Sequence, residues 1–281
     1  MLRVAAVRAG VCCCFALLAP YPLGVAAPAG DHATAHMRVQ YAVTFNGFEV
    51  GSVAFEAQAA EQSYSLSASA HLSVLLGVVS WEGETRSSGA IAKEATRPAA
   101  YSFDFKSRIG VGSTTIAFAE DAVSSITQLP PAPVNPDAIP LREDHLKGVV
   151  DPLTALLLLS RGAGGNPCPR RIPIFDGRER FDLLFSYKGQ IPVVEQAASG
   201  QPGIAVLCKV RYLPIAGHKV DADTQFMAGN EEIEVALRPI PAAHVFVPYQ
   251  ITIPTRLGTA ALMAKRVEIA APGKPQIALL H

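Results

Sequence analysis

Lysine and arginine do not outnumber aspartate and glutamate in this sequence: 24 residues of each sign give a formal charge of zero. That balance excludes the basic face that nucleic-acid binding requires, and no block of like charge marks an interaction tail. A second long apolar run is also missing. Beyond about Val25 no stretch approaches the roughly 20 apolar residues of a membrane-crossing helix. Catalytic spellings are absent too. There is no G-x-S-x-G elbow, and Ser87-Ser88-Gly89 has no base beside it. There is no H-E-x-x-H and no Cys–His cluster; scattered histidines such as His218 and His244 read as surface residues. Gly162-x-Gly164-Gly165 has neither a following Lys-Ser/Thr nor a preceding strand, so it is no phosphate loop. Paired acids occur at Glu143-Asp144, at Asp221 with Asp223 and at Glu231-Glu232. Neighbouring acids on a strand point to opposite faces, so only carboxylates from distant strands leave a glycosidase open. Together these absences predict a non-enzymatic protein without cofactor or metal.

What is present begins with an export leader. Arg3 and Arg8 supply a positive start, an uncharged apolar stretch runs from about Ala9 to Val25, and small residues follow at Ala26, Ala27, Ala29, Ala33 and Ala35. This order is that of a signal peptide, read here as residues 1–29 with cleavage between 26 and 35. Pro20 and Pro22 interrupt the run and argue against a permanent anchor. Cys12, Cys13 and Cys14 lie inside it, too early for a lipoprotein anchor. Residues 36–281 then form a single domain, and the periplasm is the expected location. Two cysteines survive, Cys168 and Cys208. In an exported chain they most simply form a disulfide. The alternative, a metal pair or redox couple, has no C-x-x-C spacing and no histidine nearby in sequence.

Period-two alternation dominates the rest. Tyr41, Val43 and Phe45 alternate with Ala42 and Thr44, and Asn46-Gly47 offers a hairpin turn whose two positions tolerate positive φ. Strands follow over 50–57, 64–72, 81–91, 99–106 and 113–119. Five prolines between Leu129 and Pro140 mark a surface crossing. Asp151 then caps, and Pro152 opens, one short apolar helix over about 152–161, stopped by Gly162, Gly164 and Gly165. Strands resume over 172–175 and 178–187, joined by Asp176-Gly177, and continue over 204–213, 231–237, 245–253 and 258–269. About a dozen antiparallel strands cannot stay flat. The fold class is mainly β: a curved sheet, open barrel or spiral around one helix.

Particular residues also carry a family resemblance. They are Tyr41-Ala-Val-Thr-Phe with Gly47 and Val50-Gly51; Trp81 through Gly89; His145-Leu-Lys-Gly-Val-Val-Asp151-Pro152-Leu-Thr-Ala155; Asn166-Pro167-Cys168; Ile172-Pro-Ile-Phe175-Asp176-Gly177-Arg178; and Phe181-Asp182. In these the chain resembles the DUF 3108 family of exported Gram-negative proteins, which has no established activity or catalytic residues. At the level of fold the resemblance extends to envelope-integrity β-spiral proteins and to the lipoprotein carriers, in which a curved sheet holds acyl chains against a helix. It implies a periplasmic protein that binds a lipid or acylated envelope component. The alternatives are a scaffolding protein of the envelope with a filled core, and an envelope hydrolase built from distant residues. The charged segment from Arg142 to Pro152, with Arg142, His145 and Lys147, reads either as a solvated helix cap or as a lip for a ligand or partner.

Overall fold

The computed structural model describes residues 34–74, 79–91, 96–131, 136–161, 165–194 and 203–281. The expected leader, residues 1–29 with Cys12, Cys13 and Cys14, lies outside the described residues. Residues His32–His281 form one compact unit.

Fourteen strands make one antiparallel sheet. Its first seven are β1 (Ala35–Phe45), β2 (Phe48–Ala59), β3 (Ser63–Val74), β4 (Val79–Ile91), β5 (Thr96–Ser107), β6 (Gly110–Ala119) and β7 (Ala122–Leu129). The chain then passes through a single-turn 3-10 helix, Glu143–Leu146, into helix α1 (Pro152–Ser160). The second half runs β8 (Arg170–Phe175), β9 (Arg180–Val193), β10 (Gly203–Ala216), helix α2 (Ala222–Gly229), β11 (Ile233–Ile240), β12 (Val245–Thr255), β13 (Gly258–Ala270) and β14 (Ile277–Leu280). The spatial order is β7-β6-β5-β4-β3-β2-β1-β13-β12-β11-β10-β9-β8, with β14 beside β13. The two halves are therefore meanders joined through β1 and β13, and the edges are β7 and β8.

The stretch between β7 and β8 decides the shape. It leaves one edge, crosses the inside of the curl as α1, and returns to the other edge. On the way, Lys147 bridges Ala122 of β7 and Val150 bridges Ile174 of β8. Gly148 N–H donates to Asp121 O at 2.7 Å, Val150 N–H to Pro173 O at 3.0 Å, and Phe175 N–H to Val150 O at 2.9 Å. The β7 and β8 edges thus never pair with each other; the strap 147–150 stitches them and satisfies backbone groups that bare edges would leave open. Glycine is required here, because Gly148 sits at φ +63°.

Helix α1 has nearly uniform apolar character, which suits a helix covered on all sides. It divides the interior. Leu153 joins a core of Val39, Tyr41, Phe55, Leu66, Ile116 and Phe175. Ala155 and Leu159 join a second core with Ile172, Ile174, Phe185, Val210 and Val235, which includes both cysteines.

The mainly β fold around an apolar helix agrees with the sequence reading, and four details differ, the first being β14, which follows the last expected strand at 258–269. Strand β7 was not expected; most of its residues are exposed, so alternation is faint. Helix α2 was not expected either. The Asp176-Gly177 hairpin is wider than two residues: Phe175 pairs with Arg180, and Asp176 Oδ1 accepts from the N–H of Arg178 and of Glu179. The Asn46-Gly47 turn is as expected, with both residues at positive φ and Phe45 opposite Phe48.

Candidate functional site

Two features surround α1, one polar and one apolar. At its N-terminus Asp151 is fully buried and accepts from the N–H of Leu153 at 3.0 Å and of Thr154 at 2.9 Å through Oδ1. This is the expected cap. The other carboxylate oxygen is less usual. Oδ2 accepts from Thr154 Oγ1 at 2.6 Å and from Ser87 Oγ at 2.9 Å. Ser87 also lies 3.0 Å from Thr154, and Tyr64 Oη lies 2.7 Å from Thr154 Oγ1. No cation pairs with Asp151 among the described ion pairs, and burial raises the pKa of its carboxyl. Burial likewise raises the Tyr64 phenol. The cluster's hydroxyls tie α1 to β3 and β4.

On the other side of α1 the inner face of β8–β12 walls an apolar cavity of about 300 Å3. Period-two patterning supplies the wall: Ile172 and Ile174 from β8, Phe181, Leu183 and Phe185 from β9, Val210 and Tyr212 from β10, Ile233 and Val235 from β11, Ile251 and Ile253 from β12. Pro152, Ala155, Leu156 and Leu159 form the α1 side, and Met227 reaches in from α2. Glu234 is the one charged residue of the lining, and its carboxylate pairs with Lys188. The Phe181 and Tyr212 rings meet at 5.3 Å, and Tyr212 Oη donates to Glu179 Oε2 at 3.2 Å; burial, with the Glu179 carboxylate beside it, raises that phenol's pKa. Cys168 and Cys208 form a disulfide, and both are fully buried in the core beside this cavity.

The charged segment before α1 is spread out. Arg142 is exposed and pairs with Asp144 at 2.9 Å. His145 is buried, its Nδ1 accepting from the Arg142 N–H at 3.3 Å. Lys147 is exposed, and its backbone bridges Ala122. None of the three lines the apolar cavity. His244 is exposed, whereas His218 is buried, because residues 138 and 139 pair across 218 and 219 and cover it. Among the described residues no group of three His, Cys, Asp or Glu side chains is placed to hold a metal.

Sequence reasoning missed the convergence of Tyr64, Ser87 and Thr154 on Asp151, which joins residues far apart in the chain and leaves no local signal. It also missed Met227. The signal for α2 was visible: Asp221 caps it by accepting from Thr224 N–H at 2.9 Å, yet Asp221 and Asp223 read as a carboxylate pair.

No curated protein matches the sequence. A solved structure similar to the chain is that of a β-barrel-like protein of a domain of unknown function, DUF1849, from Brucella abortus, at 8% identity and TM-score 0.45, covering 85% of this chain and 98% of that one. The model of the family described as a protein of unknown function, DUF3108, matches residues 40–265, and the chain belongs to that family.

Proposed function

We propose that this protein binds an acyl chain of a lipid or acylated envelope component in the cavity between α1 and β8–β12, without catalysing a reaction, in the periplasm. The carrying observation is the cavity itself, an apolar hollow open on one side, which a core packed for stability alone would close. Its volume lies at the lower end of the ~300–1,000 Å3 of ligand sites. That suits one slender chain, with the headgroup left outside. Burying about ten methylenes at ~0.8 kcal/mol each gives roughly 8 kcal/mol, a Kd near 1 μM before ordering costs. The export leader read from the sequence and the buried disulfide both support an oxidising compartment. A scaffolding role has the filled core as its signature, and the cavity favours ligand binding over it.

Titration of the purified protein with a fluorescent fatty acid is expected to saturate at micromolar concentration. Leu183→Trp, which fills the cavity from β9, is expected to weaken uptake at least tenfold while leaving the circular dichroism unchanged. No uptake by the unaltered protein, together with no lipid in its solvent extract by mass spectrometry, overturns the reading.

A further inference from the structure

The two helices that wall the apolar cavity are held very differently. Helix α1 buries Leu153, Thr154, Ala155, Leu159 and Ser160, and its cap is tied to β3 and β4 by side-chain hydrogen bonds. Helix α2 is an excursion between β10 and β11 whose ends alone are fixed. On the first side Lys219 bridges Ala138, and Ile139 N–H donates to His218 O at 3.0 Å. On the second side Asn230 is buried; its Nδ2 donates to Pro254 O at 2.8 Å, and its Oδ1 accepts from Glu232 N–H at 2.8 Å. Between these anchors the eight residues Ala222–Gly229 include no buried one. Thr224, Met227 and Ala228 are half-buried and make one narrow face at helical spacing. Of the three, Met227 lines the cavity.

A helix of about two turns does not hold itself together in water, so packing has to supply its stability. Here the packing is slight. Met227 meets the core of β8–β12, while its neighbour Phe226 is 39% exposed. Asp223 pairs with Arg256 of the β12–β13 turn at 3.0 Å, but both side chains are more than half exposed, and such pairs contribute little. The cap from Asp221 to Thr224 N–H lies within the excursion and moves with it. Neither junction is packed: Val220 is 59% exposed, and no heavy atom stands where a side chain on Gly229 would lie.

We propose that α2 is a lid on the cavity. It swings out about the junctions at 220–221 and 229–230, withdraws Met227, and admits the acyl chain past Tyr212, Ile233 and Ile253, which line the same cavity. The motion gives up the Met227 contact and one exposed ion pair. It breaks no sheet ladder, because α2 lies outside the strand pairings. Elements held in this way open locally, and lids move in microseconds to milliseconds. A chain seated under Met227 adds contacts to the closed form alone and so holds the lid shut. The inference rests on the acyl-chain reading for its ligand, whereas the opening is measured without one.

Hydrogen exchange of residues 32–281, the compact unit, reads the opening directly. Without ligand, the amides of residues 226–229 in α2 are expected to exchange at least about a hundredfold faster than those of residues 156–160 in α1. A saturating fatty acid is expected to slow the α2 amides by about tenfold or more. Asp223→Cys with Arg256→Cys, at positions that do not line the cavity, allows α2 to be clamped to the β12–β13 turn with a bismaleimide; Cys168 and Cys208 are bridged and do not react. Clamping is expected to slow uptake of a fluorescent fatty acid by about tenfold or more and to leave the amount bound at saturation unchanged. Before clamping, the variant is expected to take it up at least as fast as the unaltered protein. The lid is overturned if α2 exchanges as slowly as α1, or if the clamped protein takes up ligand at the unclamped rate. If α2 exchanges fast and the unaltered protein takes up no fatty acid, the acyl-chain reading falls and the opening of α2 stands.

Discussion

Asp151 combines two roles that a surface helix cap never has to combine. Its cluster has four contacts, Tyr64–Thr154, Ser87–Thr154, Ser87–Asp151 and Thr154–Asp151. Ser87 and Thr154 each donate to the carboxylate, and Tyr64 and Thr154 share one further hydroxyl contact. No cation among the described ion pairs offsets the burial that raises the carboxyl pKa, although the hydroxyl and backbone donors oppose it. The sign follows. A folded-state pKa above the unfolded value means that this group's stabilisation is complete below about pH 4, the ordinary carboxylate value, and is lost as pH rises through the folded pKa. Asp151→Asn keeps the acceptor for the Leu153 and Thr154 N–H groups, brings its own donors for Ser87 and Thr154, and cannot ionise. We expect it to change stability by less than about 1 kcal/mol at pH 7 and to flatten the dependence of the urea midpoint on pH above 4. Asp151→Ala loses the cap and leaves buried donors unpaired, at roughly 3 kcal/mol. Equal losses for Asn and Ala would show that the carboxylate is held ionised.

At the scale of elements, legibility depended on how local the signal was. The Asn46-Gly47 turn and the Asp151-Pro152 helix start are written in adjacent residues, and both stand where the sequence placed them. The exposed strand β7 and the short helix α2 have weak patterns, and tertiary contacts decide them. The site was harder still. Alternation announces that Phe181, Leu183 and Phe185 share a face, but not that α1 stands off far enough to leave a void above them. The disulfide lies between these cases. Counting cysteines identifies the pair; only the fold shows that it ties the entry of β8 to the middle of β10, across β9. Its sequence separation is 40 residues. Freeing that loop in the unfolded chain costs the native state about 3–4 kcal/mol. Cys168→Ser is therefore expected to lower Tm by roughly 10 °C, and thiol labelling of the oxidised native protein is expected to find no free cysteine. Two reactive thiols in the folded protein would refute the bridge.

The described domain is a curl whose two edges are held by a four-residue strap, with one helix inside between two packed cores and an open-sided apolar cavity beside the second. Such an arrangement gains little by leaving the cavity unfilled, because its lining atoms forgo contacts. A ligand that enters restores them and binds only the folded chain, so occupancy must appear as stability. At a free ligand concentration of about 100 times Kd, mass action adds ~2.7 kcal/mol. For a domain of this size that is a rise in Tm of roughly 5–10 °C. A saturating fatty acid is expected to produce it by differential scanning calorimetry, and Leu183→Trp to abolish it while melting no lower than the unliganded protein. The pairing of outcomes matters. A filled-core scaffold gives no shift in either protein. A detergent-like effect of the fatty acid on the protein's surface shifts both alike. Only a chain seated beneath α1 stabilises the unaltered protein and leaves the cavity-filled variant where it was.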